Sequence, residues 1–165
     1  MKVLIPGSFD PVTTGHADII RRAAALFGEV TACIFVNSEK RSSGMFTYPH
    51  RLELLRLVCS EIKGAKADMS DILMAEYMKK GGYSAVVKGI RGAADIDYEL
   101  MIADVNLHIW EGAETLFLPS SAEYARINST AVRELIKYRL PLDGWVPQIA
   151  AGYIRKLTES GELNK

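Results

Sequence analysis

The sequence predicts one doubly wound α/β domain, built on a five-stranded parallel sheet. Short segments rich in β-branched residues alternate with helical segments almost from end to end, and no repeat, low-complexity tract or linker interrupts them. Strands separated by helices imply right-handed crossovers, which give a parallel sheet covered on both faces. At 165 residues the chain has the mass for one sizeable core. We expect the domain to span residues 1–158, followed by a frayed tail at 159–165.

Four segments have the composition of buried strands, at residues 3–5, 30–37, 84–88 and 115–118. The first is ended by Pro6-Gly7, the second is rich in β-branched residues, and the third runs directly into Gly89. Of the five strands expected, these are the first, second, fourth and fifth. The pattern gives no bounds for the third strand.

Six segments are predicted to be helices, at residues 17–27, 50–62, 72–80, 95–110, 129–138 and 147–157. In most of them the apolar residues form one stripe, as Leu52, Leu55 and Cys59 do in the second. The helix at 95–110 differs, because its apolar residues surround the helix axis. Such a helix must be buried on more than one side, and we expect a second subunit to cover the outer side.

The charge balance excludes several classes of partner. Twenty basic residues match twenty acidic ones, so no overall field attracts nucleic acid or an anionic membrane. No apolar run reaches the roughly 18–20 residues needed to span a bilayer, and the N-terminus lacks a signal-peptide pattern. Cys33 and Cys59 lie in apolar segments without metal-ligand spacing and are expected to be reduced core thiols. We therefore expect a cytoplasmic protein.

The loop after the first strand, GSFDPVTTGH, is the first candidate site. Ligands of open parallel sheets bind beyond the carboxyl ends of the strands, and a helix N-terminus there favours phosphate. Gly15 would admit a ligand close to the backbone, and His16 could add two hydrogen-bond donors. The alternative is an ordinary turn, in which Thr13 or Thr14 caps the helix and the histidine is solvated.

Two further segments have the chemistry of anion sites. In INSTAVR, Ser129 is predicted to be the N-cap of a helix, with Arg133 one turn further along the same side; the alternative is a capped helix with a solvated arginine. Lys88 and Arg91 flank the glycine-marked end of the fourth strand, where unpaired cations are unusual. Neither a dinucleotide-binding glycine pattern nor a Walker lysine is present in the first loop.

These segments resemble a known superfamily. GSFDPVTTGH and INSTAVR are similar to the two signatures of the HIGH-type nucleotidyltransferases, T/H-x-G-H and I-S-S-T-x-x-R, with Asn128 in place of the first serine. VVKGIRGAADIDYE, MFTYPHRLELL and FLPSSAEYARINST resemble blocks of the phosphopantetheine adenylyltransferase family. The resemblance extends over residues 3–157 and implies a Rossmann-like nucleotidyltransferase fold.

The resemblance implies that the AMP part of ATP is transferred to 4′-phosphopantetheine, giving dephospho-coenzyme A and pyrophosphate. It further implies Mg²⁺ accompanying the triphosphate, a cytoplasmic homohexamer, and coenzyme A as a candidate feedback inhibitor. Two alternatives are another acceptor, such as nicotinamide mononucleotide or glycerol phosphate, and a nucleotide-sensing module without turnover.

The resemblance also implies roles for particular residues. The catalytic ones are His16, Lys40 and Arg91, and the acceptor-binding ones are Ser8, Lys40, Met74 and Lys88. The ATP-binding ones are Ser8, Phe9, His16, Gly89, Ile90, Arg91, Glu99, Tyr124, Ala125, Arg126, Ile127, Asn128, Ser129 and Thr130. No protein ligand to a metal is expected.

Five of these positions differ from the family pattern or have simpler alternatives. Ser8 replaces the commoner threonine and Lys88 replaces an arginine, while two extra residues lie between Lys40 and Met45. From composition alone, Lys40 could be solvated, Met74 could belong to the core and Glu99 could be a surface carboxylate.

Overall fold

The computed structural model describes residues 1–36 and 44–163. The strands are β1 (Lys2–Pro6), β2 (Glu29–Phe35), β3 (Ala65–Ser70), β4 (Ala85–Ile90) and β5 (Thr115–Pro119). The helices are α1 (Thr14–Phe27), α2 (Tyr48–Ser60), α3 (Met74–Gly81), α4 (Ala93–Ile109), α5 (Ser129–Lys137) and α6 (Gln148–Ser160).

All five strands are parallel and lie in the order β3-β2-β1-β4-β5. This confirms the predicted doubly wound α/β sheet. The chain moves outwards from β1 to β3 on one side and then crosses to β4 and β5 on the other side. The reversal of strand order opens a crevice between β1 and β4, where ligands of such sheets bind.

The period-two alternation of the central strands places side chains in two cores. Val3 and Ile5 of β1 pack in the larger core with residues of α1, α2, α5 and α6, whereas Leu4 lies in a smaller core with residues of α3. Burying a side chain such as Leu4, which is 0% exposed, contributes roughly 1.5–3 kcal/mol to stability. The cores on both sheet faces hold the crevice walls in place.

Polar residues within the third strand are the reason that no bounds were predicted for it. The sequence of β3, AKADMS, contains a lysine and an aspartate, and none of its residues is fully buried. It is an edge strand paired only with β2 among the described strands. Its polar residues alternate with Ala65, Ala67 and Met69, which pack against the larger core, so the strand has one apolar face and no continuous apolar run to indicate it.

Several element ends also differ from the predicted ones. Helix α1 begins at Thr14, three residues before the predicted start, because Thr13 caps it. Strand β4 continues to Ile90, where it pairs with Pro119 of β5. Helix α6 reaches Ser160 and ends at Gly161, whose φ of 73° lies in the left-handed region that glycine adopts easily.

Helix α4 is apolar around its axis, as the sequence predicts. Six large apolar residues of α4 are exposed, between 37% for Ile96 and 62% for Tyr98. Leu116 and Phe117 of the edge strand β5 are also exposed. The described residues leave this surface, formed by α4 and β5, uncovered within one subunit.

Both cysteines are free and buried. Burial raises the pKa of Cys33 to about 12 and that of Cys59 to about 11, so both thiols stay protonated at neutral pH. No helix among the described residues is long and apolar enough to cross a membrane.

Candidate functional site

A cavity of about 630 Å³ lies over the carboxyl ends of β1 and β4. Its wall is formed by the loop between β1 and α1, the end of β4, one face of α4 and the segment that leads into α5. The two signature segments, over 100 residues apart in sequence, therefore face each other across one site.

Most of the residues predicted for the site line this cavity. They are Ser8, Phe9, His16, Lys88, Gly89, Arg91, Glu99, Tyr124, Ile127, Asn128, Ser129 and Thr130. Four others, Met74, Ile90, Ala125 and Arg126, are not among its lining residues. Met74 instead begins α3 and packs against the smaller core. Lys40 lies outside the described residues.

His16 is held by the first turn of α1. Thr13 is the N-cap, and its side-chain oxygen accepts a hydrogen bond from the His16 backbone N–H at 3.3 Å. The Thr13 backbone N–H in turn donates to His16 Nδ1 at 3.0 Å. This is a capping box in which histidine takes the place usually held by glutamate or glutamine. Since Nδ1 accepts a hydrogen bond, His16 offers one donor, Nε2–H, instead of the two expected.

The surroundings keep the His16 ring neutral. Burial, followed by the positive charge of Arg91, lowers the pKa of His16 to about 4. The Phe9 ring meets the imidazole edge to face, with centroids 5.1 Å apart. Phe9 lies over Gly7, where a Cβ atom would come within 2.9 Å of the phenyl ring. Gly7 therefore makes room for Phe9, which supports His16 from the side.

Two cations from the β4 end are paired with carboxylates of α4. Lys88 Nζ lies 2.9 Å from Glu99 Oε2, and both side chains are about one-fifth exposed. The contact is an ion pair without the directionality of a hydrogen bond. The Arg91 guanidinium donates to both oxygens of Asp95 at 3.2 Å, and its backbone N–H donates to the same carboxylate at 3.1 Å.

The Asp95 carboxylate is ionised by this contact. Desolvation acts to raise its pKa, but the hydrogen bonds and charge of Arg91 together outweigh it and lower the pKa. Asp95 and Glu99 are four residues apart and so face the same side of α4. Sequence reasoning did not single out Asp95, although its spacing from Arg91 within one helical turn was a usable signal.

Asp10 joins both signature segments and was also missed. It is 5% exposed, and its carboxylate lies 3.3 Å from Arg51 Nε and 3.7 Å from Arg133 Nη1. It also accepts hydrogen bonds from the backbone N–H groups of Met45 and Phe46. Asp-Pro suggested only a turn, because the three segments that meet at Asp10 are distant in sequence.

The start of α5 differs from the predicted one. Its N-cap is Asn128, whose side-chain oxygen accepts from the Ala131 backbone N–H at 2.9 Å. The predicted N-cap, Ser129, instead donates its hydroxyl to the Pro11 carbonyl at 2.8 Å. Asn128 therefore caps the N3 amide of the helix, and the Ser129 hydroxyl ties α5 to the first loop.

The described residues contain no group of three His, Cys, Asp or Glu side chains that could hold a metal ion. The donor set of the cavity, with amides, hydroxyls, one imidazole and three cations (Lys88, Arg91 and Arg133), suits anions instead.

This fold and this anion-binding site define the cytidylyltransferase-like class of α/β proteins, and the model of the Cytidylyltransferase-like family matches residues 4–135. The chain is 37% identical to the phosphopantetheine adenylyltransferase of Corynebacterium efficiens, covering 94% of this chain and 97% of that protein. It is 41% identical to that of Caldanaerobacter subterraneus subsp. tengcongensis, covering 92% and 94% respectively. The chain belongs to the phosphopantetheine adenylyltransferase family.

Solved structures show the same fold at low sequence identity. A putative nicotinate-nucleotide adenylyltransferase from Vibrio parahaemolyticus has a TM-score of 0.67 at 14% identity, covering 93% of this chain and 99% of that chain. Nicotinic acid mononucleotide adenylyltransferase of Plasmodium falciparum, complexed with NaAD, has a TM-score of 0.65 at 15% identity, covering 96% and 98% respectively.

Proposed function

We propose that this protein is an adenylyltransferase that moves AMP from ATP to 4′-phosphopantetheine, giving dephospho-coenzyme A and pyrophosphate. The observation that carries the proposal is the convergence of the α1 N-terminus, His16, Lys88 and Arg91 on one cavity at the β1–β4 crevice. The relatives that share 37–41% of the sequence over nearly the whole chain are named for this activity.

The reaction needs positioning more than a base. The acceptor phosphate is ionised at neutral pH, so one of its oxygens attacks the α-phosphorus directly. That P–O bond forms while the bond from the α-phosphorus to the bridging oxygen of pyrophosphate breaks. The charge gathering on the α-phosphate and on the leaving pyrophosphate must then be stabilised.

The described residues can supply this stabilisation. Neutral His16 holds its Nε2–H towards a cavity that is also lined by Gly15, whose backbone N–H in the first turn of α1 has no hydrogen-bond partner among the described residues. A fixed neutral donor fits a charge that develops during the reaction, because it needs no reorientation or proton transfer. Arg91, with Lys40 from the resemblance, supplies positive charge for the phosphates of ATP.

The substrate assignments are those that the resemblance implies. ATP is assigned to Phe9, His16, residues 89–91, Glu99 and residues 124–130, and phosphopantetheine to Lys40, Met74 and Lys88, with Ser8 contacting both. Lys88 supports the assignment to an acceptor phosphate, because its ammonium lies at the carboxyl end of β4 with Gly89 beside it.

We assign Mg²⁺ to the nucleotide substrate. Magnesium keeps several waters and binds through substrate phosphates with few protein ligands.

The surface formed by α4 and β5 supports self-association into the homohexamer that the resemblance implies. Its exposed residues include Tyr98 at 62% and Met101 at 52%, an unusual density of large apolar side chains for a surface facing water. Light scattering at micromolar concentration should give a mass well above 18.2 kDa. Tyr98→Lys with Met101→Lys should lower that mass, and a stable wild-type monomer would contradict the assembly.

We further propose a cytoplasmic location for the protein and coenzyme A as a feedback inhibitor. Coenzyme A contains the product dephospho-coenzyme A, so it can occupy the same cavity. Inhibition competitive with phosphopantetheine is expected, and inhibition unaffected by phosphopantetheine concentration would contradict a shared site.

The decisive assay measures pyrophosphate release from ATP with one acceptor at a time: phosphopantetheine, nicotinamide mononucleotide or glycerol phosphate. Release with phosphopantetheine alone is expected. Preference for another acceptor would reassign the substrate, and ATP binding without release would indicate a nucleotide sensor.

A further inference from the structure

Thr13 is buried beneath the catalytic histidine. It is 1% exposed, so a ligand in the cavity has almost no access to its hydroxyl. That hydroxyl oxygen lies 3.0 Å from His16 Nδ1 and accepts from the His16 backbone N–H. Thr13 is therefore committed to His16, although it is the first residue of the signature that the resemblance associates with ATP phosphates.

The hydrogen bonds around Nδ1 admit one tautomer. The Thr13 backbone N–H points at Nδ1 from 3.0 Å and can only donate, so Nδ1 must present its lone pair. With Nδ1 accepting, the Thr13 hydroxyl is free to donate its own proton to the same nitrogen. The single ring proton of neutral His16 is then on Nε2, which has no hydrogen-bond partner among the described residues and is left for the ligand.

We propose that Thr13 is a positioning residue that locks His16 as an Nε2–H donor, so that His16 serves the reaction as a fixed hydrogen-bond donor and not as an acid or base. The neighbouring Thr14 offers a contrast, because its hydroxyl donates away from the site, to the Gly144 carbonyl at 2.8 Å. The kinetic part of this inference rests on the proposed adenylyl transfer, whereas the tautomer does not depend on it.

The matched variants are Thr13→Val, Thr13→Ser and Thr14→Val, each compared with wild type. Thr13→Val keeps the shape of the side chain but removes the hydroxyl that caps the helix and bonds the ring. Losing one neutral hydrogen bond should loosen the ring and lower kcat by about 3- to 10-fold, with KM for either substrate changing by less than about twofold. Thr13→Ser should restore most of kcat, and Thr14→Val, which also loses one hydroxyl near the helix start, should keep it.

Nitrogen-15 NMR of the imidazole provides the readout that a purely structural role would not move. In wild type at pH 7, Nδ1 should appear as an unprotonated acceptor nitrogen and Nε2 as a protonated one. In Thr13→Val the backbone N–H still donates to Nδ1, so Nδ1 should stay unprotonated, but its signal should shift because the hydroxyl no longer bonds it; Thr14→Val should leave both signals unchanged.

Three results would overturn the inference. They are a protonated Nδ1 in wild type, unchanged signals and kcat in Thr13→Val, or an equal loss of kcat in Thr14→Val, which would indicate general weakening of α1. If wild type showed no adenylyl transfer with any acceptor, the proposed function would fail, and the NMR comparison would still decide the tautomer.

Discussion

The two corners of the cavity are held by different means. At the corner between β1 and α1, His16 is fixed by hydrogen bonds to the neighbouring Thr13 within one helical turn. At the corner between β4 and α4, Lys88 and Arg91 are fixed by ion pairs to Glu99 and Asp95. The first corner presents a donor that is free for a ligand, whereas the second presents cations whose counterions are already in place.

Because the two corners are held differently, binding of an anion should rearrange the contacts of one corner and leave those of the other unchanged. The hydrogen bonds to His16 Nδ1 can persist with a phosphate at Nε2, so nothing has to move. The cations of the second corner must share or exchange their carboxylate partners. The more exposed pair, Arg91 with Asp95, is worth only about 0–1 kcal/mol, so a well-placed phosphate can compete with Asp95 for Arg91.

The largest effect is expected from His16→Ala. It removes the fixed donor of the first corner and should lower kcat by roughly 10²-fold or more, the scale of losing one preorganised donor to a developing oxyanion. Steady-state kinetics on a variant shown to be folded by circular dichroism measures this. A near-normal kcat would remove His16 from the chemistry.

Lys88→Ala tests the second corner. It should raise KM for phosphopantetheine by about 10- to 150-fold, since a charge-assisted hydrogen bond is worth roughly 1.5–3 kcal/mol, and change KM for ATP much less. Lys88→Arg should retain most activity if the pocket accommodates the larger head. The opposite pattern, with KM raised for ATP alone, would make the acceptor assignment of Lys88 wrong.

A smaller effect of opposite sign is expected from Asp95→Asn. Removing this carboxylate frees Arg91 from competition, and pyrophosphate should bind up to about fivefold more tightly, the limit set by a partly exposed ion pair. Calorimetric titration with pyrophosphate measures the change. Asp97→Asn removes the same charge from an exposed position on α4 and is the control. Weaker binding in Asp95→Asn alone would show that Asp95 orders Arg91 more than it competes for it.

The smallest effect is on stability at acidic pH. Folded His16 has a pKa of about 4, below its unfolded value of about 6.5, so the unfolded chain binds more protons between these values. The free energy of unfolding should therefore fall as the pH drops through this window. A full shift would cost about 3 kcal/mol, and we expect about half because the ring is partly exposed.

His16→Gln, which does not titrate, should lack this component of the pH dependence. The free energy of unfolding, measured with urea at pH 4.5 and 6.5 for wild type and His16→Gln, isolates the histidine component. The carboxylates contribute equally in the two proteins and cancel in the comparison. If the free energy of unfolding changed by the same amount with pH in both proteins, His16 would be protonated as easily in the folded protein as in the unfolded one.

The sequence predicts the two corners unequally well. His16 and Lys88 lie next to glycines at ends of elements; local signals made both of them candidates, and the family resemblance favoured a site role for His16 over an ordinary turn. Asp10 could not be assigned in this way, because its partners Arg51 and Arg133 come from distant segments that only folding brings together. Strand β3 was missed for a different reason: only its alternate residues Ala65, Ala67 and Met69 are apolar, so it lacks the continuous apolar run by which the other strands were recognised.

The first loop is held by hydrogen bonds from residues of α5, which are synthesised long after it. Ser129 bonds the carbonyl of Pro11 and Arg133 bonds that of Asp10, across sequence separations of 118 and 123 residues. At a synthesis rate of about 5–20 residues per second, the residues that bond the first loop are made roughly 6–25 s after the loop itself. A nascent chain or a fragment truncated before α5 lacks them, so the nucleotide site is completed only on nearly full-length protein.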